Sequence, residues 1–331
     1  MKPSPIDYHR WDGERRGVGA RSWVITQMGL RQLMRYKFFK FLLFFGWLGG
    51  FVIAGAGFML SQTMAEGGWL ADMAMRAGPR AEAVMQAFSA LLLIYPDLLI
   101  TGSFKAVFWL HSELGMLLSL AAMALLVPQL ITRDRGSQAL TIYLSRPITA
   151  RDYLVGKAGI IVGVLLLLWT GPLVGGWLMA MALAPDSLFF NYSLRALAVA
   201  LTFNAVALVV ISAIAFGVSA IAKTAARARL AWIGLWIVMG AIAGHGTVLP
   251  AWIRNLSFVT DLHLIRDRIF AMKDTLLEAA GVVPILSTRL ASNITEVADQ
   301  IEVADMSGVV MTLTIMVIGA IVLVRGRIKP E

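Results

Sequence analysis

The chain has 331 residues, 58% of them hydrophobic and only 15% charged. So few charges cannot shield that much apolar side chain from water, which excludes an ordinary soluble domain and points to an all-α polytopic membrane protein built as a single membrane domain, 1–331. The net charge of +9 does not point to nucleic acid, because Lys and Arg gather beside the apolar runs; the absence of cysteine excludes disulfides and Cys-based metal or nucleophile chemistry.

Residues 1–40 hold nine Lys/Arg and no early apolar stretch, so they do not read as a cleaved signal peptide, and the first apolar run reads as a retained anchor. Within them Trp23, Gln27, Leu30, Met34 and Phe38 recur at helical spacing, with Arg31 and Arg35 on another face. That pattern predicts a basic amphipathic helix in the inner membrane interface; the alternative is a simple extension of the first span.

Six apolar runs are long enough to cross a bilayer: 41–60, 110–131, 159–183, 196–221, 230–249 and 307–324. An even number puts both termini on one side. The segments 1–40, 132–158, 222–229 and 325–331 then hold 20 of the 29 Lys/Arg, so the positive-inside rule places them, and both termini, in the cytoplasm. Residues 61–105 carry Gly67-Gly68, Gly78-Pro79 and Pro96-Asp97 and are expected outside, helical with breaks. In 250–306, Leu262, Ile265, Ile269, Met272 and Leu276 share one helical stripe, and Ile294, Val297 and Ile301 another. Two amphipathic outer helices, 261–279 and 293–305, are expected there.

The segment 132–158 is polar and basic between two spans. Arg133, Asp134 and Arg135 lead to Gly136, which is placed to end the second span. Ser137 is read as the N-cap of a short helix from Gln138 through Leu140 and Tyr143 to Leu144, stopped at Ser145-Arg146-Pro147. Thr149 and Asp152 form a capping-box pattern at the start of the next helix, which carries Arg151, Tyr153 and Lys157. By pattern alone this is either a short interfacial helix or an ordinary positive loop.

The order Asp134, Gly136, Leu144-Ser145-Arg146-Pro147-Ile148, Arg151-Asp152-Tyr153-Leu154 and Gly156-Lys157 resembles the ABC-2 family of transporter permeases. The resemblance implies that the loop carries a coupling helix docking on an ATPase subunit. It also implies two ATPase copies, a second permease chain in a homodimer or heterodimer, and an exporter in the bacterial inner membrane. The coupling residues it implies are Arg133, Asp134, Arg135, Gly136, Gln138, Leu140, Tyr143, Leu144, Ser145, Arg146, Pro147, Arg151 and Tyr153.

No G-x-x-x-x-G-K-[ST] phosphate loop occurs: Ala158 follows Gly156-Lys157, and Arg151 stands where the first glycine belongs. The chain is therefore expected to be non-catalytic and to bind no cofactor, with ATP and Mg on the partner. Asp97, His111 and Glu113 lie near the outer start of the second span and are candidates for a substrate path. Asn204 and His245 read as inter-helix hydrogen-bonding groups, and the 17 methionines as adaptable apolar filler. The rival reading is a membrane scaffold docking through its outer helices, or a membrane-embedded enzyme, for which the spans offer few converging polar groups.

Overall fold

The computed structural model describes residues 17–63, 68–138, 149–184, 188–244, 248–282, 288–301 and 306–328. Nearly all of them are helical and none is in a strand. In a bilayer a helix satisfies every backbone N–H and C=O within its own segment, so long apolar runs have no better option.

The helices are α1 (Val18–Leu33), α2 (Lys37–Gln62), α3 (Trp69–Ala77), α4 (Pro79–Ile94), α5 (Asp97–Gly136), α6 (Ala150–Leu183) and α7 (Leu188–Ile221). They continue with α8 (Ala225–Gly244), α9 (Ala251–Arg254), α10 (Phe258–Phe270), α11 (Met272–Val282), α12 (Thr288–Gln300) and α13 (Met306–Ile328). Six of them, α2, α5, α6, α7, α8 and α13, are long and apolar enough to span a membrane, as the sequence predicts. Most outrun their apolar cores. The 40 residues of α5 reach about 60 Å at 1.5 Å per residue, twice a hydrocarbon core of about 30 Å. The fifth span is the exception: its described part runs to Gly244, and residues 248 and 249, inside the expected run, are not helical.

Three wide, π-type turns interrupt the long helices, at Asp97–Thr101, Pro128–Thr132 and Leu166–Thr170. Each adjoins a proline: Pro96, Pro128 or Pro172. A proline ring removes one N–H and crowds the carbonyl four residues back; for Pro172 that carbonyl, of Leu168, lies inside the turn, whose extra residue relieves the clash, whereas Pro96 and Pro128 stand at or just before the start of theirs. Pro172 is accommodated within α6 in this way. Its carbonyl and that of Leu168 then meet glycines of α2: a Cβ at Gly46 would lie 2.5 Å from Leu168 O, and one at Gly50 2.7 Å from Pro172 O. Small residues let the two backbones touch, the usual basis of tight packing between membrane helices.

α1 is separated from α2 by a break at residues 34–36, so it is not an extension of the first span. It lies on the first half of α6. Its protein-facing stripe is Ser22, Thr26, Gly29 and Leu33, while Trp23 and Met28, each over 60% exposed, face away from the protein.

Beyond the spans, α3 and α4 fold back on each other at Gly78, whose φ of 112° suits glycine alone. The amphipathic helix expected over 261–279 is two helices. Ala271 takes a left-handed conformation (φ 47°) between α10 and α11, because α10 is drawn into the bundle while α11 packs with α12. The second expected helix, 293–305, begins earlier, at Thr288, and its described part ends at Gln300.

Candidate functional site

One end of the bundle gathers the close of α5, the start of α6, the close of α7 and all of α1. The wide turn at Pro128–Thr132 organises it, because such a turn offers backbone groups to partners outside its own helix. Ser219 Oγ of α7 accepts from the N–H of Ile131 (3.0 Å) and of Thr132 (3.2 Å), and Thr132 Oγ1 donates to Ser219 O at 2.7 Å. One turn later Arg135 donates to Ala220 O (2.9 Å) and to Ala222 O. A guanidinium there satisfies the last carbonyls of α7 and complements the negative end of its dipole. These bonds lock α5 and α7 together at this end.

The opposite face of the same turn holds α6. The Tyr153 hydroxyl lies 2.7 Å from both Asp134 Oδ2 and Leu130 O and donates to that pair. Lys157 Nζ sits 2.7 Å from Asp134 Oδ2 and donates to Gln129 O at 2.6 Å. The Asp134 and Lys157 side chains are only 16% and 11% exposed, so each stands in for the water the other has lost.

The capping box expected at Thr149 is present. Thr149 Oγ1 accepts from Asp152 N, and Asp152 Oδ2 accepts from Thr149 N, both at 3.2 Å. α1 then rides on the small residues of α6. Ser22 Oγ donates to Asp152 O (3.0 Å) and Thr26 Oγ1 to Gly156 O (2.9 Å), while Thr26 and Leu30 fill the space above Gly159 and Gly163.

Of the implied coupling residues, Arg133, Asp134, Arg135, Gly136, Gln138, Arg151 and Tyr153 are described. Leu140, Tyr143, Leu144, Ser145, Arg146 and Pro147 lie outside the described residues. The helix does end at Gly136; the short helix expected to follow Ser137, from Gln138 to Leu144, falls almost wholly outside the described residues. The Ser137 hydroxyl donates back to Arg133 O at 3.0 Å, and Gln138 adopts φ 55° with its N–H on Arg135 O. Ser137 and Gln138 therefore close the preceding helix, the left-handed position falling on Gln138 rather than on Gly136. Arg133 and Arg151 are exposed; Arg135 is engaged by α7.

The other trio is not brought together. Asp97 bonds Thr101 and meets Arg195 at 3.2 Å. His111 faces α6, with Nε2 3.2 Å from Trp169 O. Glu113 faces α10, where Arg266 pairs with it and His263 Nε2 lies 3.2 Å away. Arg266 also bonds Asp267 Oδ1 (3.0 Å) and lies over the Trp109 ring (4.4 Å), and Trp109 Nε1 donates to the same Asp267 oxygen at 2.6 Å. This second cluster pins α10 to α5. Its one sequence signal is an arginine, Arg266, set between Leu262, Ile265 and Ile269 of an apolar stripe. Nearby, Asp261 is fully buried, and neither of its oxygens has a partner among the described residues. Burial pushes its pKa from 3.8 up to about 7. Asn204 bonds Thr170 of α6 (3.2 Å), an inter-helix link as expected; His245 lies outside the described residues.

Neither the curated proteins nor the solved structures offer a match. A family model described as "ABC-2 family transporter protein" matches residues 41–260, well over half of the chain, from within α2 to the start of α10, and so includes the segment 132–158 but not α1. By that match, together with six span-length helices, the chain belongs to the ABC-2 family of transporter proteins.

Proposed function

We propose that the chain is the membrane-spanning permease subunit of an ATP-driven exporter, moved by a separate ATPase through the segment 132–158. ABC-2 membrane proteins generally work with ABC ATPase partners and are not themselves catalytic. The observation that carries the reading is the double clamp around this segment. Its first end, Asp134–Arg135, is tied to α6 and α7; its second, Tyr153–Lys157, is tied back to α5 and supports α1. A push on the intervening residues acts on four helices at once. For that push to bias transport, the segment must bind differently to the ATP-bound and ATP-free motor. Arg133 and Arg151 at its rim, with Arg146 inside it, suit acidic residues of such a motor.

In this reading the clamped end and both termini face the cytoplasm, in keeping with the charge distribution. Two ATPase copies serve two permease chains. The exposed aromatic face of α2 (Phe41, Phe44, Phe51) and α8, with only 11% of its apolar window buried, offer surfaces for the second permease chain or for lipid. Replacing Arg146→Glu with Pro147→Ala is expected to leave membrane insertion intact and abolish transport-stimulated ATP hydrolysis by the co-purified ATPase. Unchanged hydrolysis, or a chain that purifies from its native membrane with no ATPase, removes this reading.

A further inference from the structure

A cavity of about 560 Å³ opens at the clamped end between α1, α5 and α6. Its size falls within the usual range of small-ligand sites. Arg133 of α5 and Lys157 of α6 line it together with Val24 and Met28 of α1, whose Arg21 stands on the same helix face. Asp134 also reaches it but is matched by Lys157 at 2.7 Å, so the exposed Arg133 adds positive charge that this pair does not cancel. The apolar wall does not stop at the cavity. Val24 is 45% exposed and Met28 62%, and this row continues over the outer face of α1 to Trp23. A cationic floor beside an apolar wall that runs out along an exposed helix face is amphipathic in the same sense as a phospholipid. The site also lies at the level where α2 and α6 begin, which is where headgroups reside.

We propose that this cavity holds the headgroup of an anionic phospholipid of the cytoplasmic leaflet, its phosphate toward Arg133 and its acyl chains along Val24 and Met28. A free phosphate would match the cations but leave the apolar wall uncovered. The lipid wedges between α1 and the helices that bear the loop, so membrane composition sets how firmly α1 braces the clamp. The inference rests on the cytoplasmic orientation proposed above, but not on any ATPase.

The test is native mass spectrometry of the full-length protein equilibrated with an equal mixture of phosphatidylglycerol and phosphatidylcholine. The wild-type protein is expected to retain phosphatidylglycerol preferentially. Arg133→Gln should lower that preference about fivefold, the effect of one cation near an anionic lipid. Met28→Asp should lower it as well, by placing a carboxylate on the acyl route. Arg229→Gln, an exposed cation at the start of α8 that does not line the cavity, should leave it unchanged, and melting temperatures check that each variant is folded. Equal retention of both lipids overturns the proposal, as does an equal effect of Arg229→Gln. Displacement of the lipid by inorganic phosphate together with indifference to Met28→Asp also overturns it, by assigning the cavity to a free anion. An error in orientation shows separately. The chain has no cysteine, so a single Gly136→Cys must resist an impermeant maleimide added outside intact cells; labelling there sinks the orientation and leaves the lipid measurement standing.

Discussion

Among the described residues two cation–carboxylate clusters between helices are built from similar parts for different ends. At the clamped end Lys157 and Asp134 are 23 positions apart and join consecutive long helices across one connection. At the other cluster Arg266 reaches back 153 positions to Glu113 and draws a short helix, α10, against α5. The first ties together helices that the chain already makes neighbours, and it adds an anchor on each flank of a loop. The second creates a neighbour relation that connectivity does not supply. A local cluster of this kind stiffens a lever, whereas a non-local one decides where an outer element sits. A force applied at the loop is therefore shared by the bundle, while the polar contacts of α10 add orientation to a helix whose Phe258, Leu262 and Phe270 are already buried in the core.

That contrast can be broken by substitution. The largest effect is expected from Arg266→Ala. It leaves Asp267, which is 15% exposed, with Trp109 Nε1 in place of a cation, and Glu113, which at 51% exposure is partly rehydrated, with His263. A loss of about 3 kcal/mol is expected, at the lower edge for a broken buried pair. Proteolysis within 261–282 should accelerate, with no change near the clamped loop; equal loosening at both ends would erase the distinction.

The next effect concerns Asp261. Its pKa is raised from 3.8 to about 7 in the folded protein, so the folded state holds its proton while the unfolded chain releases it. This group therefore favours folding fully below the ordinary value, less as pH rises toward about 7, and no further above it. Asp261→Asn imitates the protonated form. It should raise the melting temperature at about pH 8 and flatten its decline between about pH 4 and 7. A variant that melts lower than wild type at that alkaline pH would mean that the carboxylate has a partner it needs.

The smallest effect is expected from Tyr153→Phe at the clamp. It removes one hydroxyl shared by Asp134 and Leu130 O and should cost about 1 kcal/mol, with Lys157 still holding Asp134. Its signature is functional: looser coupling of ATP hydrolysis to transport at nearly normal stability. Full coupling with the hydroxyl removed would show that Lys157 alone suffices as the second anchor.

Much of this was readable in advance. The six spans and the capping box at Thr149–Asp152 follow from runs and spacings within a few turns. The break before α2 and the division of α10 from α11 did not, because neither carries the Gly or Pro that marks a boundary. Met34–Tyr36 and Ala271 are ordinary helix formers whose conformations answer to packing on α6 and within the bundle. Ser137 illustrates a nearer limit. A serine after a glycine suits either the end of one helix or the start of the next, and only the contact with Arg133 O shows that its hydroxyl serves the end of the first. Ser219, Ser22 and Thr26 were not singled out because small hydroxyl residues in apolar helices are common; their importance comes from the backbone groups opposite them.

By itself the sequence determined that the chain is a bundle of six spans, which end is positively charged, and where the polar connection between the second and third spans begins and ends. These depend on transfer of side chains between water and hydrocarbon, which is additive along the chain and needs no partner. Only the tertiary structure decided which polar groups in that bundle face one another. Arg135 serves α7, Arg266 holds α10 and the cavity beside α1 gathers three cations because helices distant in sequence converge there, and a buried charge is held by whatever partner the packing brings within reach.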